Sequence, residues 1–195
     1  MKLILISGKK RTGKSTLQKA LFKYFYDQEN CFPLEINFAD EIYRMHDYAL
    51  KKMKELGQEY RQPKHRKLLQ FLGTEWARET FGENVWCDVL KKKVEIATKN
   101  NYTHVIVSDC RFKNEFDYFP EALRVRLVAE AFVRKQRSTE LWNEESEKHQ
   151  SETDLDLYAL GNKFDMVLST DVYTVDECVN LIARRLESNW VKDRR

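Results

Sequence analysis

The sequence predicts an α/β fold: a five-stranded parallel sheet in a three-layer arrangement, with helices on both faces. Two observations carry this. Short apolar runs at 3–7, 34–38, 104–108, 123–128 and 166–169 recur along the chain, and the intervals between them have helical periodicity. The first run opens directly into Gly8-Lys9-Lys10-Arg11-Thr12-Gly13-Lys14-Ser15, a complete G-x-x-x-x-G-K-[ST] phosphate-binding loop. After Ser15, Leu17, Ala20, Leu21, Tyr24 and Phe25 fall on one helical stripe. Strand, glycine loop and helix therefore come in the order that a P-loop NTPase fold requires, which a chance glycine turn with a basic surface has no reason to satisfy.

The chemistry of the loop follows from its residue types. Gly8 and Gly13 let the backbone curl so that successive N–H groups face phosphate oxygens, Lys14 brings a cation to the terminal phosphates, and the Ser15 hydroxyl suits Mg²⁺. Gly8, Lys9, Arg11, Thr12, Gly13, Lys14, Ser15 and Thr16 are the nucleotide-binding candidates, and the expected ligand is ATP or GTP with Mg²⁺.

The second run, 34–38, is followed by the longest interval between strands. Residues 42–56, 64–80 and 84–98 each read as helix, with breaks at 57–63 and 81–82. This is more helix than one crossover needs. No linker or composition shift divides the chain, so residues 1–195 are expected to form one domain with a helical region at about 39–100.

The third run ends in Asp109. An acidic residue at that end of a strand is placed to join a Mg²⁺ shell, although it also serves as a turn or helix cap. Arg111 would lie over the same crevice, or pair on the surface with Glu115. After the fourth run comes Arg134-Lys135-Gln136-Arg137, where Arg134 and Arg137 could fold over a transferred phosphoryl group as part of a lid at about 130–150. The alternative is a solvated charged helix paired to Glu144 and Glu145.

Asn162-Lys163-Phe164-Asp165 matches the N-K-x-D by which GTPases read guanine. Here it precedes its strand instead of following it, and no D-x-x-G lies between the loop and Asp109 to act as a switch, which argues against a GTPase.

Composition narrows the classes further. The 195 residues include 42% hydrophobic side chains and 3 prolines, enough for one substantial core. Basic and acidic residues nearly balance, 34 against 31, so no nucleic-acid partner is expected, and no run has the apolar length of a membrane span. Cys31, Cys87, Cys110 and Cys178 are scattered without metal-ligand spacing and read as reduced, mostly buried thiols of a cytoplasmic protein.

Four segments together resemble the deoxynucleoside monophosphate kinases of bacteriophages: SGKKRTGKST at the loop, RKLLQFLGTEWARETFGENVW from Arg66 to Trp86, SDCRFKNE from Ser108 to Glu115, and HQSETDLD from His149 to Asp156. The resemblance covers nearly the whole chain. The loop and SDCRF pieces are shared with phosphomevalonate and dephospho-coenzyme A kinases, whereas LGTEWAR with its following tryptophan is more particular. The resemblance implies a nucleoside monophosphate kinase-like fold and transfer of the ATP γ-phosphoryl group to a (deoxy)nucleoside monophosphate, with Mg²⁺, in the host cytoplasm if the source is viral.

On that scheme Lys14, Arg111, Arg134 and Arg137 neutralise charge on the moving phosphoryl group. The region between the second strand and Asp109 is the acceptor side. Arg78, and more weakly Arg66, are the acceptor-phosphate candidates, although Glu75 is a helical neighbour that could account for Arg78. Gly73 marks a close approach, either of acceptor or of a neighbouring helix, and Trp76 and Trp86 either stack on the acceptor base or belong to the core. Asp40, Ser151 and Glu152 could bind acceptor hydroxyls or cap helices, Ser151 and Glu152 at one beginning near Asp154.

One departure bears on acceptor choice. The family commonly has proline and lysine after Phe-Ala-Asp, where this chain reads Phe38-Ala39-Asp40-Glu41-Ile42. A kinase for another phosphorylated metabolite and a nucleotide-dependent ATPase or regulatory module are the competing readings. Whether the unit pairs as a homodimer is left open by the sequence.

Overall fold

The computed structural model describes residues 1–58, 60, 64–138, 147 and 149–192, with side chains to residue 188. Five strands, β1 (Lys2–Ser7), β2 (Pro33–Glu35), β3 (His104–Cys110), β4 (Leu123–Val128) and β5 (Met166–Ser169), form one parallel sheet in the order β2-β3-β1-β4-β5. The predicted sheet is present.

Side-chain alternation along the central strands divides the core in two. Leu3 and Leu5 of β1, with Val105 and Val107 of β3, face a cluster that includes Trp86, Leu90 and Phe116. Ile4, Ile6 and Ile106 face the opposite cluster, built with Leu17, Leu21 and Phe25 of α1 (Lys14–Tyr26) and Ile182 of α10 (Val175–Lys192). Each fully buried Leu or Ile contributes about 1.5–3 kcal/mol by leaving water, so a sheet covered on both faces needs apolar residues at successive positions. That is why the strands read as continuous runs.

β2 stops three residues earlier than its apolar pattern suggests. The backbone N–H of Ile36 still reaches the Ile106 carbonyl at 3.2 Å, but beyond it side chains take over from the ladder. The Asn37 Oδ1 accepts the Ser108 N–H at 2.9 Å, and the Asp109 carboxylate accepts the N–H groups of Phe38 and Ala39 at 2.9 and 3.0 Å. β3 runs two residues further than predicted, and so carries Asp109 to the mouth of the sheet.

Between β2 and β3 lie α2 (Asp40–Glu55), α3 (Arg66–Gln70), a π-helical turn (Phe71–Trp76), α4 (Ala77–Phe81) and α5 (Val85–Lys99). The helix predicted over 64–80 is thus interrupted by a widened turn. A Cβ on Gly73 would lie 3.1 Å from Ile42 Cδ1, so glycine allows α2 to approach closely there. The Gly73 carbonyl accepts the Trp86 indole N–H at 2.8 Å; a π turn characteristically leaves a carbonyl for such a partner. α2 and α3 are also joined through histidines: the His65 N–H donates to His46 Nε2 at 3.0 Å, and His65 Nδ1 caps α3 by accepting the Leu68 N–H at 3.2 Å.

α6 (Lys113–Tyr118) follows β3, α7 (Ala131–Gln136) follows β4, and α8 (Gln150–Thr153) and α9 (Asp156–Leu160) precede β5. The cap of α8 is the His149 side chain, which accepts the Ser151 N–H at 3.2 Å, so neither Ser151 nor Glu152 caps the short helix predicted near Asp154. Cys87, Cys110 and Cys178 are buried, Cys31 is half-buried, and all four are free thiols. Among the described residues no helix is long and apolar enough to cross a membrane.

Candidate active site

The phosphate loop is shaped by contacts that exclude most side chains. Gly8 has φ +146°, and a Cβ on it would sit 2.5 Å from the Leu127 carbonyl oxygen and 2.7 Å from Thr12 Oγ1. Gly13 has φ +92° and leads into α1. Arg11, at φ 64°, takes a left-handed conformation without being glycine. Thr12 is buried and donates to the Lys9 carbonyl at 2.8 Å. The Lys14 Nζ folds back onto the carbonyls of Gly8 and Lys9 at 2.7 and 2.9 Å. Burial pushes the Lys14 ammonium down to about 8; Arg111 and Arg126 act in the same direction, Glu152 and Asp109 against it. Ser15 and Thr16 are exposed on the first turn of α1.

A second layer of charge surrounds the loop. Arg111 Nη1 bonds Glu152 Oε1 at 2.9 Å, and Glu152 Oε2 accepts the backbone N–H of Lys10 at 2.5 Å. Lys9 pairs with Asp156 at 3.0 Å, and Glu147 meets Arg134 at 2.6 Å and Lys10 Nζ at 3.4 Å. Arg134 Nη1 lies 3.4 Å from the Lys10 carbonyl, above the loop.

Arg137 is separated from this group. It donates to Thr170 Oγ1 and to the Thr170 carbonyl at 2.8 Å each, and lines a cavity of about 340 Å³ with Thr12, Gly13, Thr16, Tyr173 and Thr174. The pair of arginines expected to fold together over one phosphoryl group is therefore divided between two places. Glu144 and Glu145, weighed as partners of this basic cluster, lie outside the described residues, as does most of the lid segment after Ser138.

On the other side of the loop, Phe38, Gly73, Arg78, Trp86, Asp109 and Arg111 help line a cavity of about 170 Å³. Arg78 bonds Glu115 Oε1 at 3.2 Å, not Glu75, and its guanidinium carbon lies 4.5 Å from the centre of the Phe112 ring. Among the described residues the buried Nε of Arg78 has no hydrogen-bond partner. Glu115 also accepts the N–H groups of Arg111 and Phe112 at 2.8 and 3.1 Å, and burial pushes its carboxyl up to about 7. Its pairing with the Arg111 backbone leaves the Arg111 side chain to Glu152. Burial likewise raises the Asp109 carboxyl, against the two N–H groups that hold its charged form.

The remaining sequence candidates fall elsewhere. Trp76 is 39% exposed and packs edge-on against Phe81 at 5.5 Å, away from the cavity, whereas Trp86 is buried in its wall. Arg66 is exposed at the start of α3. Asp40 begins α2 and accepts the Asn37 N–H at 2.8 Å. Ser151 Oγ lies 2.9 Å from His149 Nδ1.

Sequence reasoning missed Arg126, which is buried on β4, donates to Ser7 Oγ at 3.0 Å and pairs with Asp156 at 2.5 Å. An arginine inside an apolar strand was the available signal, since such a charge must find partners. Gln18 was missed too: it bonds the Ile106 carbonyl at 2.8 Å and receives the Ser108 hydroxyl at 2.7 Å, tying α1 to β3 beneath the site.

The fold has parallels of known structure. Dephospho-CoA kinase from Campylobacter jejuni superposes with a TM-score of 0.53 at 18% identity, over 97% of this chain and 100% of that one. Shikimate kinase from Aquifex aeolicus gives 0.50 at 18% identity, over 97% and 98% of the two chains. The fold is that of the P-loop kinases. The tunicamycin resistance protein of Deinococcus radiodurans also shares it, with a TM-score of 0.56 at 15% identity over 95% of each chain. In sequence, phosphomevalonate kinase of Drosophila melanogaster is 24% identical over 196 residues, 97% of this chain and 99% of the fly protein. No family model matches the chain.

Proposed function

We propose that the chain is an ATP-dependent kinase that transfers the γ-phosphoryl group to the phosphate of a (deoxy)nucleoside monophosphate. The observation that carries this reading is the place of Arg111. It lines the smaller cavity with Arg78, and it reaches the phosphate loop through Glu152. One guanidinium thus stands between a donor-phosphate site and a pocket with a second arginine whose buried Nε has no partner among the described residues. Two anionic phosphates brought to these positions would be held end to end.

The roles follow from charge. The loop N–H groups and Lys14 hold the β- and γ-phosphates, and the larger cavity beside Arg137 and Tyr173 takes the nucleoside of ATP. Arg78 receives the acceptor phosphate, and Arg111 and Arg134 stabilise the phosphoryl group as it moves in line. No side-chain base is required, because the attacking phosphate oxygen is already anionic. The hard oxygens of Ser15 and Asp109 suit Mg²⁺, which supplies charge neutralisation when it enters with ATP. Asp109 would hold it through the carboxylate lone pairs that Phe38 and Ala39 do not use.

The similarity to a phosphomevalonate kinase supports a second acceptor, also a phosphate monoester. ADP release from ATP and Mg²⁺ across ribo- and deoxynucleoside monophosphates, phosphomevalonate and dephospho-coenzyme A decides between them. Stimulation by a nucleoside monophosphate is expected. A response only to another metabolite reassigns the acceptor, and ATP hydrolysis that none of them stimulates points to an ATPase or regulatory module.

A further inference from the structure

The Glu152 carboxylate lies where an anion bound to the loop would lie. One oxygen takes the Lys10 N–H of the loop at 2.5 Å, the other takes Arg111 at 2.9 Å, and its side chain is only 6% exposed. Backbone N–H groups of a phosphate loop and an arginine above it are the donors a phosphate would use. Here a carboxylate of the same chain has one such N–H and the arginine.

The carboxylate is also held in place. α8, which carries it, is capped by His149, and the Asp154 carboxylate at its end accepts the Lys113 N–H at 2.7 Å, fastening the segment to α6. Glu147 and Asp156, from either side of α8, pair with Lys10, Arg134, Lys9 and Arg126. Lys14 differs from these cations, since its Nζ bonds two loop carbonyls.

We propose that Glu152 is the resident anion of the phosphate site and determines which phosphates can enter it. The inference rests on the loop being the ATP-phosphate site. A tethered carboxylate competes at high effective concentration, so an incoming ligand must displace it by offering more charge and more simultaneous contacts. A triphosphate does so, engaging Lys14 and several loop N–H groups together. A single phosphate offers only about −1.5 to −2 charge and few contacts, so it is held out. In a kinase whose acceptor also carries a phosphate, this keeps the acceptor out of the donor site.

Calorimetric titration of the full chain and of Glu152→Gln with inorganic phosphate, tripolyphosphate and ATP tests this, with Lys14→Ala as the loop control. The wild type is expected to bind tripolyphosphate and ATP and to bind phosphate weakly. Glu152→Gln is expected to bind phosphate at least tenfold more tightly and to narrow the gap between phosphate and tripolyphosphate. If the wild type binds ATP through Lys14 and Glu152→Gln leaves phosphate affinity unchanged or lower, the inference is overturned while the kinase reading stands. Absence of ATP binding to the wild type overturns both. Should Glu152→Gln fail to fold, Glu152→Asp keeps the charge but withdraws it by one methylene. It is expected to raise phosphate affinity in the same direction, and wild-type affinity there contradicts the proposal.

Discussion

The two sides of the site are built in different ways. On the loop side, eight consecutive residues supply the glycines, the N–H groups and the lysine, and the backbone itself is the recognition surface. On the side proposed for the acceptor, Phe38, Gly73, Arg78, Trp86 and Arg111 arrive from five separate elements or connections, and recognition there would rest on side chains that other side chains position. The loop is intolerant at single atoms, whereas the acceptor wall distributes its constraints over helix contacts. Damage to the first should abolish chemistry, and damage to the second should change which acceptor is used and how tightly.

The largest expected effect breaks the loop. Lys14→Ala should lower kcat by about 10³-fold, the scale of losing a charge that stabilises the transition state. The variant should stay folded, because the native ammonium is desolvated and carries a lowered pKa. Turnover assays with a thermal melt check both halves.

The glycines sharpen the contrast. Gly8→Ala drives a Cβ into the Leu127 carbonyl at a positive φ, so about 1–3 kcal/mol of stability and ATP binding should be lost together. Gly73→Ala meets only the end of the Ile42 side chain at 3.1 Å, and should cost about 1 kcal/mol or less while raising the acceptor KM and sparing the ATP KM. Equal effects of the two substitutions would erase the distinction. Arg78→Lys should follow the acceptor pattern, raising the acceptor KM about tenfold because an ammonium lacks the guanidinium fork.

Smaller effects should appear with pH. The free loop lysine is partly deprotonated near pH 8, and bound polyphosphate favours its charged form, so ATP binding there should take up protons. Titration calorimetry in buffers of different ionisation enthalpy measures that uptake, which Lys14→Ala should abolish. Glu115 has a folded pKa raised to about 7 against 4.5, so its carboxyl favours folding as the neutral form. That contribution is fully present below pH 4.5 and is lost as pH rises through 7. Over the same range the ionised form increasingly holds Arg78, so acceptor KM should rise with pH more steeply in the wild type than in Glu115→Gln.

What could be read in advance follows the same division. The five strands and the loop were legible because continuous apolar runs and glycine spacing are local signals tied to one geometry. β2 ended early because Asn37 and Asp109 replaced the ladder with side-chain bonds, a long-range event no local run reveals. Arg111, Arg78 and Arg134 were legible as residue types suited to phosphate, but their partners were not. Glu115 took Arg78, and Glu147 took Arg134, across 37 and 13 residues of chain respectively. The places of Arg137, apart from Arg134, and of Trp76, outside the smaller cavity, were not legible because helical neighbours one turn apart can face different cavities, or none.

On the proposed reading the γ-phosphoryl group moves across Arg111 from the loop side to a phosphate on the acceptor side. Incubation with ATP labelled in the γ-phosphate, Mg²⁺ and a deoxynucleoside monophosphate tests it most directly. The prediction is label in the β-phosphate of the deoxynucleoside diphosphate, lost in Lys14→Ala; label recovered only as inorganic phosphate, whichever monophosphate is supplied, would contradict it.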